Sequence, residues 1–265
     1  MTSLKTKKAS APRGKAGTTT DEVLDGRLSI IQPRAGHRVG GDAVFLAAAV
    51  PAKAGERVLE AGTGVGVAGL CLLARVPELN VTAVEIDAEL CALAKSNAAR
   101  NGFAEQFKVI EADVTSSAKV LSAAGLVREG YDHVIANPPF HSDSDVRAAP
   151  DAARAVAHVM ERDGLGDWVR FLTSMAAPKG RLTLIHRAEC LGEILDLLQG
   201  RFGDVAIFPL FPKAGEPALR VIVQGRKGSR AGLRLLPGLV LHGPDGAHSA
   251  DSEVVLRGGE ALRLG

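Results

Sequence analysis

Apolar and polar positions along the chain fall into short apolar runs that alternate with segments of helical period. Residues 57–61 read as a buried strand, followed by a glycine-rich turn and an apolar helix to about residue 75. A strand at 81–85 precedes a helix at 87–101 that Gly102 closes. Residues 107–111 give a third strand with a helix near 118–126, and 133–136 a fourth, ended abruptly by Asn137-Pro138-Pro139. A long connection, a helix around 167–177, a strand at 181–186, a helix at 189–198 and strands at 205–210 and 219–224 complete the series. Alternating β and α units with right-handed crossovers predict an α/β fold: a mostly parallel seven-stranded sheet with helices on both faces. The final two strands are joined by only about eight residues without a crossover helix, which makes the last strand antiparallel.

Ahead of this series, residues 26–32 alternate enough for a strand or hairpin arm, and 42–49 read as a short helix stopped by Pro51. Residues 1–20, rich in Lys, Ser, Thr, Gly and Pro, are expected to be a disordered tail. Residues 21–228 form the expected domain with its N-terminal arm, and 229–265 a short β appendage. Composition adds exclusions. With 46% hydrophobic and 23% charged residues, global disorder is out. The longest apolar stretch, 58–76, is broken by Glu60, Arg75 and glycines, so no membrane span is expected. The opening segment has no apolar stretch of a secretory signal. Cys71, Cys91 and Cys190 share no metal-ligand spacing and fall in expected helices, which fits buried thiols in a reducing cytoplasm.

The net charge of +2 hides an uneven distribution: Lys5, Lys7, Lys8, Arg13 and Lys15 fall in the first twenty residues with no acid, leaving the rest slightly acidic. Such a tail either adds sequence-independent phosphate contacts or solubilises a terminus.

The candidate chemistry begins at Glu60-Ala61-Gly62-Thr63-Gly64-Val65-Gly66. Glycines at alternate positions after a strand let the backbone turn tightly and approach a ligand across the strand end. Gly64, Gly66 and Gly69 also satisfy the dinucleotide fingerprint, with Glu85 at ribose distance, but a pyrophosphate would meet the Glu60 carboxylate. A cationic, phosphate-free cofactor fits better, and S-adenosyl-L-methionine has both properties. Glu85, ending the second strand, can accept both ribose hydroxyls, since a carboxylate offers two oxygens and no donor. Ile86 would lie against the adenine, and Asp113, next to Val114, would accept from its amino group. Taken singly, Glu111 or Asp113 could be simple loop acids. Three acidic positions after three consecutive strands point instead to one ligand edge, with Thr63 in the loop between them.

Asn137-Pro138-Pro139-Phe140 follows the fourth strand directly. Two prolines stop a strand, but the whole quartet does more. The Asn137 oxygen and the Pro138 carbonyl can both accept from a planar –NH2 group, exposing its lone pair, while the prolines hold that carbonyl rigid. Phe140 offers a face on which a planar, extruded base stacks.

With these motifs the sequence resembles the class I S-adenosylmethionine-dependent methyltransferases that modify amino groups, over about residues 27–228. Within them it is similar to the small bacterial family whose members N6-methylate the adenosine beside the anticodon of a valine tRNA. That family has a comparable arm, here Ile31-Gln32-Pro33-Arg34-Ala35-Gly36-His37-Arg38 followed by 42–47, and a late segment like 180–187. The resemblance implies a Rossmann-like fold, closure of Arg38 and Asp42 over the cofactor, and an RNA substrate, most naturally tRNA.

Other candidates carry less. No histidine pair has the helical spacing of a zinc site, and no metal is expected. His141, beside Phe140, is either a substrate contact or a solvated loop residue. Trp168 stands at helical spacing from Leu172 and Met175 and reads as core. Arg147, Arg154 and Arg162, in the long connection, are assigned to phosphate contact. Alternatives within the same chemistry are glutamine N5-methylation of a protein and amino methylation of DNA or rRNA. From other classes, a nicotinamide-dependent oxidoreductase or a non-catalytic cofactor-binding module is disfavoured by the Asn-Pro-Pro-Phe quartet.

Overall fold

The computed structural model describes residues 17–34, 40–139 and 164–264. Thr18–Val23 (β1) and Leu28–Pro33 (β2) pair as an antiparallel hairpin, and the alternate residues Leu28 and Ile30 of β2 point into the core. Thr18–Thr20 thus belong to β1, which corrects the expectation that the tail extends to residue 20; the five basic residues up to Lys15 lie outside the described residues. Alternation of Thr, Asp and Val with a partner strand opposite is enough to order this segment. Helix α1 (Gly41–Ala49) follows and is buried from Val44 onward.

Val58 and Leu59 are neighbours in β3 (Arg57–Ala61), yet one packs into the first core cluster and the other into the second. A strand covered by helices on both faces requires this. Helix α2 (Val67–Arg75), β4 (Asn80–Glu85), α3 (Ala88–Arg100), β5 (Phe107–Glu111), α4 (Ala118–Ala123) and β6 (Tyr131–Ala136) continue the alternation. A helix at 164–175 (α5), β7 (Ala176–Arg187), α6 (Leu191–Leu198), β8 (Phe202–Phe211) and β9 (Arg220–Lys227) complete the series. Helix α3 starts where Asp87 caps it, accepting from the N–H groups of Glu89 and Leu90 at 2.8 and 3.2 Å.

The order across the main sheet is β8-β9-β7-β6-β3-β4-β5. Strands β3 to β7 are parallel to one another, and β9 runs antiparallel between β7 and β8. This is the seven-stranded Rossmann-like sheet with its antiparallel last strand. Two additional strands of two residues, β10 (Arg234–Leu235) and β11 (Leu239–Val240), extend β8 outward. The C-terminal stretch is more than β structure: α7 (Ala250–Leu256) packs Val255 into the same core cluster as α1 and α2, while α4 to α6 cover the opposite face. Strand order reverses between β3 and β6, and in open α/β sheets ligands bind outside the carboxyl ends of the strands at such a switch point. Among the described residues, no helix is long and apolar enough to cross a membrane.

Candidate functional site

The glycine loop after β3 is fastened to the next strand: the N–H groups of Gly62 and Thr63 both donate to the Val84 carbonyl, at 2.8 and 3.0 Å. Gly62 has φ +67°, and a β-carbon there would overlap Cη2 of Trp168 and lie 3.0 Å from its Cζ3. Only glycine fits that backbone and that neighbour together. Trp168 is half-buried against the second core cluster, so it is not the plain core residue the sequence suggested. Its ring tip rests on the first glycine of the loop.

Glu60, next to last in β3, is a buried acid that accepts from the Gly69 N–H, in the first turn of α2, at 3.0 Å. A β-carbon on Gly69 would come within 2.7 Å of that Glu60 oxygen and 2.6 Å of Phe107, so this glycine is what lets α2 close down on the acid. Burial is the main cause that pushes Glu60 up to about 7. The Thr63 hydroxyl beside it and the Gly69 N–H pull it down, and the Glu85 carboxylate pushes it up. The Thr63 hydroxyl oxygen, itself buried, reaches no full hydrogen-bond geometry with any partner among the described residues.

Glu85, at the end of β4, is buried and organises the loop around it. One oxygen accepts from Gly64 N–H at 2.8 Å, the other from Ile86 and Asp87 N–H at 2.9 and 3.1 Å. Three backbone donors leave little of its accepting capacity for two ribose hydroxyls, so the sequence-based assignment of both to Glu85 requires some of these bonds to yield. Ile86 beside it is 64% exposed, an apolar side chain held out at the sheet edge. Asp113, two residues past β5, accepts from the Thr115 N–H at 2.8 Å and its hydroxyl at 2.7 Å, which fixes the turn that carries Val114. These residues therefore line one edge, over β3, β4 and β5.

Asn137 stands at the end of β6, next to β3, with Pro138 buried and Pro139 exposed. The Asn137 side-chain oxygen is buried and has no hydrogen-bond partner among the described residues. Orphaned buried acceptors are rare, so this oxygen calls for a donor from beyond the described residues. Phe140, Arg38, His141, Arg147, Arg154 and Arg162 lie outside the described residues. Asp42, at the start of α1, pairs with Arg220 of β9 at 2.9 Å. Arg220 lies opposite Arg187, at the carboxyl end of β7, so this pair borders the same edge. His186 there is driven down to about 4, by burial first and then by Arg187, and is uncharged at neutral pH.

Two contributors escape sequence reasoning. Asn97 and Asn101, four apart on α3, each pair with both backbone groups of a β2 residue: Asn97 with Ile31 at 2.8 and 2.9 Å, Asn101 with Ser29 at 2.9 and 3.0 Å. Their signal was faint: a helix face presenting two amides where an apolar stripe is normal. Of the thiols, Cys71 and Cys91 are buried, with burial pushing Cys71 up to about 12, while Cys190 is only half-buried beside α6.

An acid-lined, phosphate-averse edge of this kind agrees with what the chain is similar to. The family model "Methyltransferase small domain" matches residues 37–164. A Porphyromonas gingivalis protein named tRNA1(Val) (adenine(37)-N6)-methyltransferase is 34% identical over 180 residues, 66% of this chain and 68% of the relative. One of the same name from Aeromonas hydrophila is 28% identical over 82% of this chain and 87% of its own length. Among solved structures, a predicted O-methyltransferase from Agrobacterium tumefaciens has a TM-score of 0.70 and 31% identity, over 84% of this chain and 98% of that one. A tRNA (m1A58) methyltransferase from Aquifex aeolicus, at 14% identity and a TM-score of 0.51, shares the fold. The chain belongs to the small-domain family of S-adenosylmethionine-dependent methyltransferases, and S-adenosyl-L-methionine is its cofactor.

Proposed function

We propose that this enzyme methylates an exocyclic amino group, adenine N6 in a tRNA, in the cytoplasm. The observation that carries the reading is the buried Asn137 oxygen just after β6, without a partner among the described residues and followed by two prolines. When bound, S-adenosylmethionine supplies an electrophilic methyl group on a sulfonium. The residues suited to hold it are Glu60, Gly62, Thr63, Gly64 and Gly66 over β3, with Glu85, Ile86, Asp113 and Val114 over β4 and β5. Asp42 and Arg38 close the arm side. Left-handed backbone at Gly62, Gly64 and Gly66 keeps the loop low, with φ of +67°, +57° and +95°.

An aromatic amino group is a poor nucleophile because its lone pair is delocalised. Asn137 and the Pro138 carbonyl accept its two N–H bonds, hold the nitrogen in place and stabilise positive charge as it develops there. The proton then leaves to water, so Asn137 needs no basic partner before attack. Phe140 supplies the stacking surface for the swung-out base, which costs least when the base is already in a loop. Arg147, Arg154, Arg162 and the tail lysines provide phosphate contacts. The names of the Porphyromonas and Aeromonas relatives support the tRNA choice over glutamine, DNA or rRNA acceptors.

The test is methyl transfer from labelled cofactor to unmodified tRNA transcripts, with nucleosides identified by mass spectrometry. N6-methyladenosine is the expected product. A ribose-O-methylated nucleoside, or transfer only to a glutamine peptide, would overturn the acceptor.

A further inference from the structure

We infer that Trp168 contacts the sulfonium end of the bound cofactor and favours the charged methyl donor over its neutral thioether product. The inference rests on the cofactor reading above and adds to it a residue of α5 that lies outside all the motifs.

The position follows from strand order. Ile86, Glu85 and Asp113 lie over β4 and β5, and they suit an adenine and its ribose. The opposite end of the cofactor, with its sulfonium and ammonium, then lies over β3 and β6, towards Asn137. Gly62 is the residue that leaves β3 there, and the tip of the Trp168 indole is packed directly on it. Helix α5 runs from this edge towards the start of β7: Trp168 touches Gly62, while Ala176, just past the helix, pairs with Tyr131 at the start of β6. Trp168 is only partly buried, unlike its helix neighbours Val169 and Leu172. A core role alone would not require a loop glycine beneath it at φ +67°.

The chemistry gives that ring a use. Indole is the strongest of the natural aromatic faces for a cation, and the pull strengthens where water is excluded. Methyl transfer moves a methyl group from sulfur to the acceptor nitrogen, the sulfur keeps the bonding pair, and its positive charge is lost. An indole at this point therefore holds the donor more tightly than the product and aids exchange after turnover.

The chain has one tryptophan, so its emission reports on this position alone. The experiment titrates the full-length protein with S-adenosylmethionine and with S-adenosylhomocysteine, by calorimetry and by tryptophan emission, and repeats the calorimetry with Trp168→Leu and Trp168→Phe. Emission of the wild type should change on binding. Trp168→Leu should lose about three- to thirty-fold more affinity for the sulfonium than for the thioether, and Trp168→Phe should fall between, as a weaker ring does. If the leucine variant fails to fold, the phenylalanine variant still decides the ratio. Equal losses for both ligands would reduce Trp168 to packing, and binding without a change in emission would put it away from the ligand. Either result sinks this inference alone. Wild-type protein that binds neither molecule would remove the cofactor reading beneath it.

Discussion

The carboxamide of Asn97 donates to the carbonyl of Val65, inside the glycine loop, at 3.0 Å. The same nitrogen donates to Ile31 of the N-terminal hairpin at 2.9 Å, and its oxygen accepts from Ile31 N–H. One fully buried side chain on α3 thus ties the arm to the loop beneath it. Asn101 repeats the hairpin contact at Ser29 but has no bond to the loop among the described residues.

This difference makes a paired prediction. Asn97→Ala leaves two Ile31 groups and the Val65 carbonyl without partners, at about 1–3 kcal/mol each where water cannot enter. Asn101→Ala frees part-buried groups, like those of Ile31, but no fully buried one such as the Val65 carbonyl, and should cost about 1 kcal/mol. Both variants should melt lower than wild type, Asn97→Ala by more. Affinity for S-adenosylhomocysteine, measured below both transitions, should fall only in Asn97→Ala. An equal fall in both would mean that the arm itself, not the link to Val65, sets the loop.

Gly69 offers a second test, of packing. A methyl group there meets Phe107, Val81 and the Glu60 oxygen at 2.6–3.0 Å. Overpacking of this kind typically costs about 1–3 kcal/mol, against which alanine regains under ~1 kcal/mol of helix propensity. Gly69→Ala should therefore be less stable in urea and bind cofactor more weakly, because the acid is pushed off its N–H donor. Stability equal to wild type would show that α2 can shift away freely.

How much of this was legible in the sequence divides by range. Strands β3 to β6, the glycine loop and the quartet after β6 are local patterns, each readable within a few residues, and the structure puts the loop and Asn137 to Pro139 at one edge. What escaped depends on contacts between distant segments. β1 begins inside the expected tail because its partner β2 orders it. Trp168 has helical spacing from Leu172, which says core, yet its ring tip ends on Gly62, about a hundred residues earlier. Asn97 reads as an ordinary polar helix residue until Ile31 and Val65 arrive beside it. Glu85 was assigned by its place at a strand end, but its occupancy by three backbone donors is visible only once the loop has closed.

The role proposed for the Asn-Pro-Pro-Phe quartet gives a kinetic prediction. Asn137→Ala removes an oxygen that has no partner among the described residues, so none of those residues loses a hydrogen bond to it. Turnover should fall by roughly 10²–10³, the range for one preorganised polar contact, while affinity for S-adenosylhomocysteine changes little. Stability should hold or rise slightly, since the orphaned oxygen disappears. Near-normal turnover in single-turnover assays would contradict an amino-positioning role for Asn137.

Glu60 links the site to pH. Its carboxyl is raised to about 7 in the folded protein, against 4.5 for the free group, so the folded state binds the proton more tightly. Between those values the native chain carries more protons than the unfolded one, and stability falls as pH rises. The contribution is complete below about pH 4.5 and is lost through pH 7, an effect of about 3 kcal/mol at most. Other groups act in the same window: burial lowers His186 and His133, which opposes folding at the acid end. The Glu60 share is therefore isolated by comparing wild type with Glu60→Gln, which can still accept from Gly69 N–H. A cationic cofactor reverses the preference, because it favours the ionised carboxylate. Binding of S-adenosylmethionine near pH 6 should then release a proton, seen as a calorimetric heat that varies with buffer ionisation enthalpy, and affinity should rise up to about pH 7. Glu60→Gln should abolish that release and flatten the affinity profile. A buffer-dependent heat that persists in Glu60→Gln would assign the proton to another group and leave Glu60 as a purely structural cap of α2.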